Sequence, residues 1–277
     1  MTLLAVPNVS EGRDHTTLDA IGQAFEAGGA LLLDRHEDAD HHRAVFTLAG
    51  EPGALAQAVL AGAREAIKRI DLTSHEGGHP RVGAIDVAPI VYLDDQDRGA
   101  ACAEALVLAD SLGRENLPVY LYGALAGGRT RAELRRGGPE ALTARAAPDY
   151  GPVRLHPTAG AVLVAAREPL VAFNVELAEP ATLEDARAIA ALIREGGAEG
   201  LPGVRAIGVQ LAHAVQVSTN VEDHRAATPA DVVAAVRQHA AVAAAELVAL
   251  APEAALAGFP EDVTLRGRAT IEERLAR

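Results

Sequence analysis

The chain is expected to be an α+β protein that uses one folding pattern twice. Three observations predict this. Short apolar runs of strand length alternate with stretches whose apolar residues recur at helical spacing, the first half follows the order β-α-β-β-α-β, and a similar order resumes after residue 168. That order is the split β-α-β, or ferredoxin-like, arrangement, a mostly antiparallel sheet with both helices on one face. Two such subdomains, residues 1–168 and 169–277, are expected side by side with a cleft between them.

Residues 2–6 form a first strand, residues 16–26 a helix ending at Gly28-Gly29, and residues 30–34 an apolar strand. A polar link leads to a strand over residues 44–48, a helix over 53–69 and a strand over 82–93. Residues 97–112 add a helix and 118–122 another strand; residues 129–150 are polar, arginine-rich and read as short helices and loop. Strands follow at 162–166 and 170–177 around Glu168-Pro169. Thr182, with Asp185 three residues on, opens a helix that stops at Gly196-Gly197. Strands at 204–211 and 215–219 precede a last long helix opened by Thr228-Pro229-Ala230-Asp231, and a short strand near Val248 completes the second set.

With 277 residues, 49% of them hydrophobic, the chain can bury a substantial core. Its 25 Lys+Arg against 38 Asp+Glu give a net charge of −13, and it carries only four Phe and four Tyr, which argues against a nucleic-acid partner. An acidic body can still hold a basic pocket for a small anion, and Arg81, Arg154, Arg167 and Arg194 are available for one. One cysteine, Cys102, excludes a disulfide framework and a thiolate metal site, and a cytoplasmic location is expected. The start of the chain does not read as a signal peptide, and no segment reaches membrane-span length.

Chemistry concentrates in residues 72–86, where His75, Glu76, His79, Arg81 and Asp86 surround a Gly77-Gly78-His79-Pro80 turn. Glycine frees the backbone, proline fixes its own angle and biases His79 towards extended geometry, so the imidazole is held in place. A histidine titrates near about 6.5 and can take and return a proton at neutral pH. The same turn could merely satisfy buried backbone groups.

Residues 34–43, with His36, Asp38, Asp40, His41, His42 and Arg43, read as a candidate binding loop or as a solvated acidic link. Its histidines lack helical i, i+4 spacing, and Gly77-Gly78 interrupts His75 and His79, so no metal is expected. Residues 147–160, rich in Pro and Gly, could present backbone amides to a flat heterocycle or an anion, or serve as a linker. The stretch Gln216-Val217-Ser218-Thr219-Asn220 sits at a strand end and could bond into a site or cap the strand. There is no G-x-S-x-G elbow, Walker loop or dinucleotide fingerprint, which leaves acid/base work by a histidine on a small substrate.

Several of these motifs together resemble the glutamate formimidoyltransferases, including the transferase part of formimidoyltransferase-cyclodeaminase. The resemblance rests on Val6-Pro7-Asn8-Val9-Ser10-Glu11-Gly12-Arg13, residues 36–50 and 74–89, Val119-Tyr120-Leu121-Tyr122-Gly123, residues 147–160, Ala172-Phe173-Asn174 and residues 216–220. It implies transfer of a formimidoyl group from N-formimidoylglutamate to tetrahydrofolate, with no metal, by a homodimer of chains built from two ferredoxin-like subdomains. It places the catalytic histidine on His79. It places folate binding on Gly151, Pro152, Val153, Arg154, Leu155, His156, Pro157, Thr158, Ala159 and Gly160, with a second short contact on Leu192, Ile193 and Arg194. The chain departs from the animal proteins at Ala159, where they carry tryptophan, at Val153 and Arg154, where they carry serines, and at His36, where they carry an acidic residue.

For such a reaction His79 would move a proton between the attacking and departing nitrogens. Asp38, Asp40 and Asp86, in that order, are candidates to stabilise an amidinium, and Arg43 and Arg81 to pair with the glutamate carboxylates; His42 joins them in the expected substrate set. Two alternatives stay open. One is a hydrolase deiminating the same substrate with a metal on His36, His41 or His42; the other is a non-catalytic folate-binding module.

Overall fold

A computed structural model describes residues 1–76 and 81–276. The chain divides into two compact units, Met1–Arg167 and the remainder from Glu168.

The first unit contains β1 (Leu3–Ala5), β2 (Asn8–Val9), α1 (His15–Ala27), β3 (Leu31–Asp38), β4 (Arg43–Gly50), α2 (Leu55–Arg69), β5 (Ile85–Val91), α3 (Arg98–Arg114), β6 (Val119–Leu121), α4 (Arg131–Arg135), α5 (Gly138–Arg145) and β7 (Val162–Arg167). β1 and β2 are two halves of one path, interrupted at Val6-Pro7. Both pair antiparallel with β4 on one side and β5 on the other. β3 lies outside β4, and β7 then β6 extend the sheet beyond β5. The order β-α-β-β-α-β is therefore present from β1 to β5.

The far half departs from the expected mostly antiparallel sheet, because β5, β7 and β6 run parallel. Their sequences explain it. All seven residues of β5 and five of the six in β7 are buried, the continuous apolar pattern of strands covered on both faces. One face packs Leu18, Ile21 and Phe25 of α1 with Val59 of α2 and Leu108 of α3. The other carries a smaller core of Val87, Tyr120, Leu134, Leu142 and Leu163, so α4 and α5 cover the face expected to be bare. A Cβ on Gly62 would lie 2.2 Å from the Phe25 ring, so only glycine lets α1 and α2 approach this closely.

The polar stretch 34–43 is mostly strand, not loop. β3 continues to Asp38 and pairs residue by residue with β4, Asp38 opposite Arg43. β3 borders only β4, and its charged side chains find partners without burial: Arg35 bridges Asp19 and Glu37 at 2.6 and 2.7 Å, and His15 meets Glu37 at 2.7 Å.

The second unit contains β8 (Val171–Leu177), α6 (Leu183–Ile193), β9 (Val204–Gln210), β10 (Val215–Val221), α7 (Pro229–Arg237), β11 (Val242–Leu247), β12 (Leu265–Arg266) and α8 (Ile271–Leu275). Its sheet runs β12-β11-β8-β10-β9. Phe173, Val175, Val217, Ile189 and Val232 form its core with α6 and α7. Thr182 and Thr228 close capping boxes with Asp185 and Asp231, as the sequence predicts. The expected short strand near Val248 is present as β11, ending at Leu247; α7 is only nine residues long, and β12 and α8 are additional to the expected elements.

Candidate active site

Three arginines and a buried carboxylate meet in a pocket of the first unit. It is lined by Asn8, Val9, Ser10, Arg43, Arg81, Asp86 and Arg135. A β-bulge builds it: Asn8 pairs with Val87 but Val9 with Ile85, which leaves Asp86 as the extra residue. Bulges re-aim a side chain, and here the re-aimed one is a carboxylate that is only 4% exposed. Asp86 accepts the Val82 backbone N–H at 2.6 Å and pairs with the Arg135 guanidinium. Arg43 opens β4: burial lowers its pKa, and Asp38 and Asp86 oppose that shift. Burial likewise lowers Arg81, again against the pull of Asp86. Both remain charged at neutral pH. Partly dehydrated guanidiniums of this kind favour an anionic guest.

Beside the pocket stand two histidines. The rings of His42 and His75 lie 4.2 Å apart at 33°, and the Arg81 guanidinium contacts His75. Burial is the largest influence on each and lowers both pKa values, with Arg81 adding to the shift. His42 adopts φ 51° and its Nδ1 accepts the Gly12 N–H at 3.2 Å. Gly12 must be glycine, because a Cβ there would lie 2.3 Å from the Asp38 carbonyl oxygen and 2.6 Å from the Arg43 nitrogen. Glu11 Oε1 accepts the N–H groups of Gly12, Arg13 and Asp14 at 2.8–3.0 Å, which, outweighing burial, keeps its carboxyl below the ordinary range. At the hairpin tip Asp38 holds the His41 ring at 2.5 Å and the His41 N–H at 2.8 Å. Burial opposes the Asp38 carboxylate, yet those bonds and the charges of His41 and Arg43 bring its pKa to about 2. Asp40 is exposed in the same turn.

The proline-rich stretch reaches this end of the sheet. Residues 156–160 close a turn in which His156 and Gly160 exchange backbone bonds of 2.9 and 3.0 Å, and His156 Nδ1 accepts the Ala159 N–H at 3.0 Å. The turn is stitched to both flanks of the candidate catalytic segment: the Leu72 N–H donates to the Thr158 carbonyl at 2.8 Å and the Ala84 N–H to the Ala159 carbonyl at 2.9 Å. Gly151, Val153, Arg154 and Pro157 are exposed, Pro152, Leu155, His156 and Thr158 half-buried, and Ala159 and Gly160 buried.

The structure thus gathers Asp38, His42, Arg43, Arg81, Asp86 and residues 156–160 at one end of one sheet. His79, with Gly77, Gly78 and Pro80, lies outside the described residues. Leu192, Ile193 and Arg194 belong to the second unit at the end of α6, where Ile193 is buried in that unit's core and Arg194 is exposed. Residues 216–220 form the body of β10 and not its end, and neither side-chain polar atom of the buried Gln216 has a hydrogen-bond partner among the described residues. Among those residues no three His, Cys, Asp or Glu side chains are grouped to hold a metal ion; His41 is engaged with Asp38, and His42 is stacked on His75. Sequence reasoning missed Arg135 and Asn8. The capping box Thr130-x-x-Glu133 signals the helix that carries Arg135, but its partner Asp86 is 49 positions away.

Fold and pocket together define a two-unit α+β protein with an arginine-lined pocket beside a glycine-closed turn. A family model described as "Formiminotransferase domain, N-terminal subdomain" matches residues 2–167. The glutamate formimidoyltransferase of Streptococcus pyogenes serotype M1 is 38% identical over 228 residues, 78% of this chain and 76% of its own length. That of Thermoplasma acidophilum is 33% identical over 79% of this chain and 76% of its own length. The formimidoyltransferase-cyclodeaminase of Sus scrofa is 40% identical over 79% of this chain, which spans only 43% of that longer protein. The chain belongs to the formiminotransferase family.

Proposed function

We propose that the chain is a glutamate formimidoyltransferase, moving the formimidoyl group from N-formimidoyl-L-glutamate to tetrahydrofolate and releasing L-glutamate. The observation that carries this reading is the pocket in which Arg43, Arg81 and Asp86 converge beside the turn at 156–160, in a chain of this family. An arginine-rich pocket suits a dicarboxylate amino acid, and the adjoining stretch 151–160 is where the folate would lie, with Leu192, Ile193 and Arg194 as its second contact. Residues 1–168 and 169–277 are then the two subdomains of a cytoplasmic homodimer. Its co-substrate is tetrahydrofolate and it needs no metal.

The folate amine attacks the formimidoyl carbon and forms a tetrahedral adduct. His79 takes the proton from the attacking nitrogen and delivers it to the glutamate nitrogen, the C–N bond to glutamate breaks, and the amine departs neutral. Such a shuttle contributes roughly 10²- to 10⁴-fold. Asp38 and Asp40 are the first candidates for the amidinium charge; Asp86 is engaged with Arg135 and the Val82 amide, and Asp38 with His41. Arg43 and Arg81 bind the glutamate carboxylates, with His42 at the rim.

Incubation with formimidoylglutamate, with and without tetrahydrofolate, tests the reading. Glutamate release that depends on tetrahydrofolate is expected. Folate-independent ammonia release would identify a deiminase instead, and folate binding without turnover a non-catalytic module.

A further inference from the structure

One guanidinium of the pocket has no part in the reaction described above. Arg135, from α4, has a side chain 14% exposed; it pairs with Asp86 through one Nη, while its Nε is buried without a hydrogen-bond partner among the described residues. Asn8 Oδ1, also in the lining, is a buried acceptor in the same condition. Arg135 Nε is thus a donor and Asn8 Oδ1 an acceptor of the lining that lack partners among the described residues. Its charged side chains, three arginines and Asp86, sum to 3 − 1 = +2.

A donor with one carboxylate needs one guanidinium fork. Arg43 and Arg81 supply forks for the two carboxylates, a third guanidinium at Arg135 gives the second of them a further partner, and the N–H of a formamidine accounts for the Asn8 oxygen. Asp86 fixes where Arg135 points, because the bulge and the Val82 N–H determine the carboxylate's own position. We propose that Arg135, positioned by Asp86, binds the side-chain carboxylate of the donor amino acid and makes the pocket selective for dicarboxylate over monocarboxylate donors. The inference rests on the transferase reading above and deepens it.

Two measurements test it on the full chain. Calorimetry compares L-glutamate with L-2-aminobutyrate, which lacks the second carboxylate; kinetics compare formimidoylglutamate with formimidoylglycine. The wild type should prefer the dicarboxylate in both. Two variants are used: the pair Asp86→Asn with Arg135→Met, which leaves no buried charge unpaired, and Arg135→Lys, which keeps the charge beside Asp86 if the pair fails to fold. Each should lose at least about tenfold of that preference, through KM for formimidoylglutamate, with KM for tetrahydrofolate unchanged. Equal losses for both donors, or a preference that survives, would overturn the proposal. If the wild type transfers from neither donor the transferase reading fails, and the calorimetry still decides whether Arg135 reads the second carboxylate.

Discussion

Asp38 is the residue whose ionisation the fold controls most clearly. Its carboxyl sits at about 2 in the folded chain against 3.8 for the free group. Since the folded value is the lower, the stabilisation is complete above about pH 4 and is lost as pH falls towards about 2; after solvent screening it amounts to about 1 kcal/mol. Urea unfolding of Asp38→Asn should show that deficit at neutral pH, and the gap to wild type should close in acid. His42 and His75 act in the same direction, in a higher pH range. Both are bases held below 6.5 chiefly by burial, so the unfolded chain binds more protons and stability should fall as pH drops below about 6.5. Melting curves of His42→Asn with His75→Asn should lose part of that slope. Residue types told much here: Asp38, His42, Arg43 and Arg81 were legible as candidates because clustered titratable groups beside Gly and Pro are seldom idle. The Asp86–Arg135 pair was not, since one-residue bulges leave no local signal and the two positions are far apart in sequence.

At the level of elements, helix ends were the most readable feature, because capping chemistry is local. Thr182→Ala should cost about 1 kcal/mol by removing one side of a capping box, measurable by chemical denaturation. The polar hairpin was misread because charged residues on a border strand mimic a loop; their strand character comes from pairing with β4, which is not local. β12, two residues long and parallel to β11, carries even less signal. The turn at 156–160 depends on Gly160, at φ 69°, where a Cβ would lie 2.3 Å from the Val82 carbonyl oxygen. Gly160→Ala should destabilise the chain by more than about 1 kcal/mol. It should also raise KM for tetrahydrofolate more than KM for the donor, because the stitched turn carries the proposed folate contacts.

On the scale of the whole molecule, each unit has its own sheet and its own apolar core. The 110 residues from 168 to 277 fall in the ordinary size range of an independent domain. Expressed alone they should unfold in one cooperative transition and transfer nothing, since the arginine pocket belongs entirely to the first unit. Among the described residues no helix is long and apolar enough to cross a membrane. The two-unit α+β plan was legible from element order, whereas the parallel half of the first sheet was not, because buried strands read alike whichever way they run. The central claim is that this chain hands a one-carbon amidine from an amino acid to a folate. Following a carbon-13 label in the formimidoyl group by NMR tests it most directly: with tetrahydrofolate present the label should move onto the folate as glutamate is freed one for one, and Gly77-Gly78-His79 altered to carry His79→Ala should slow this steeply. A label that remains on glutamate, or leaves it as well without folate, would contradict the account.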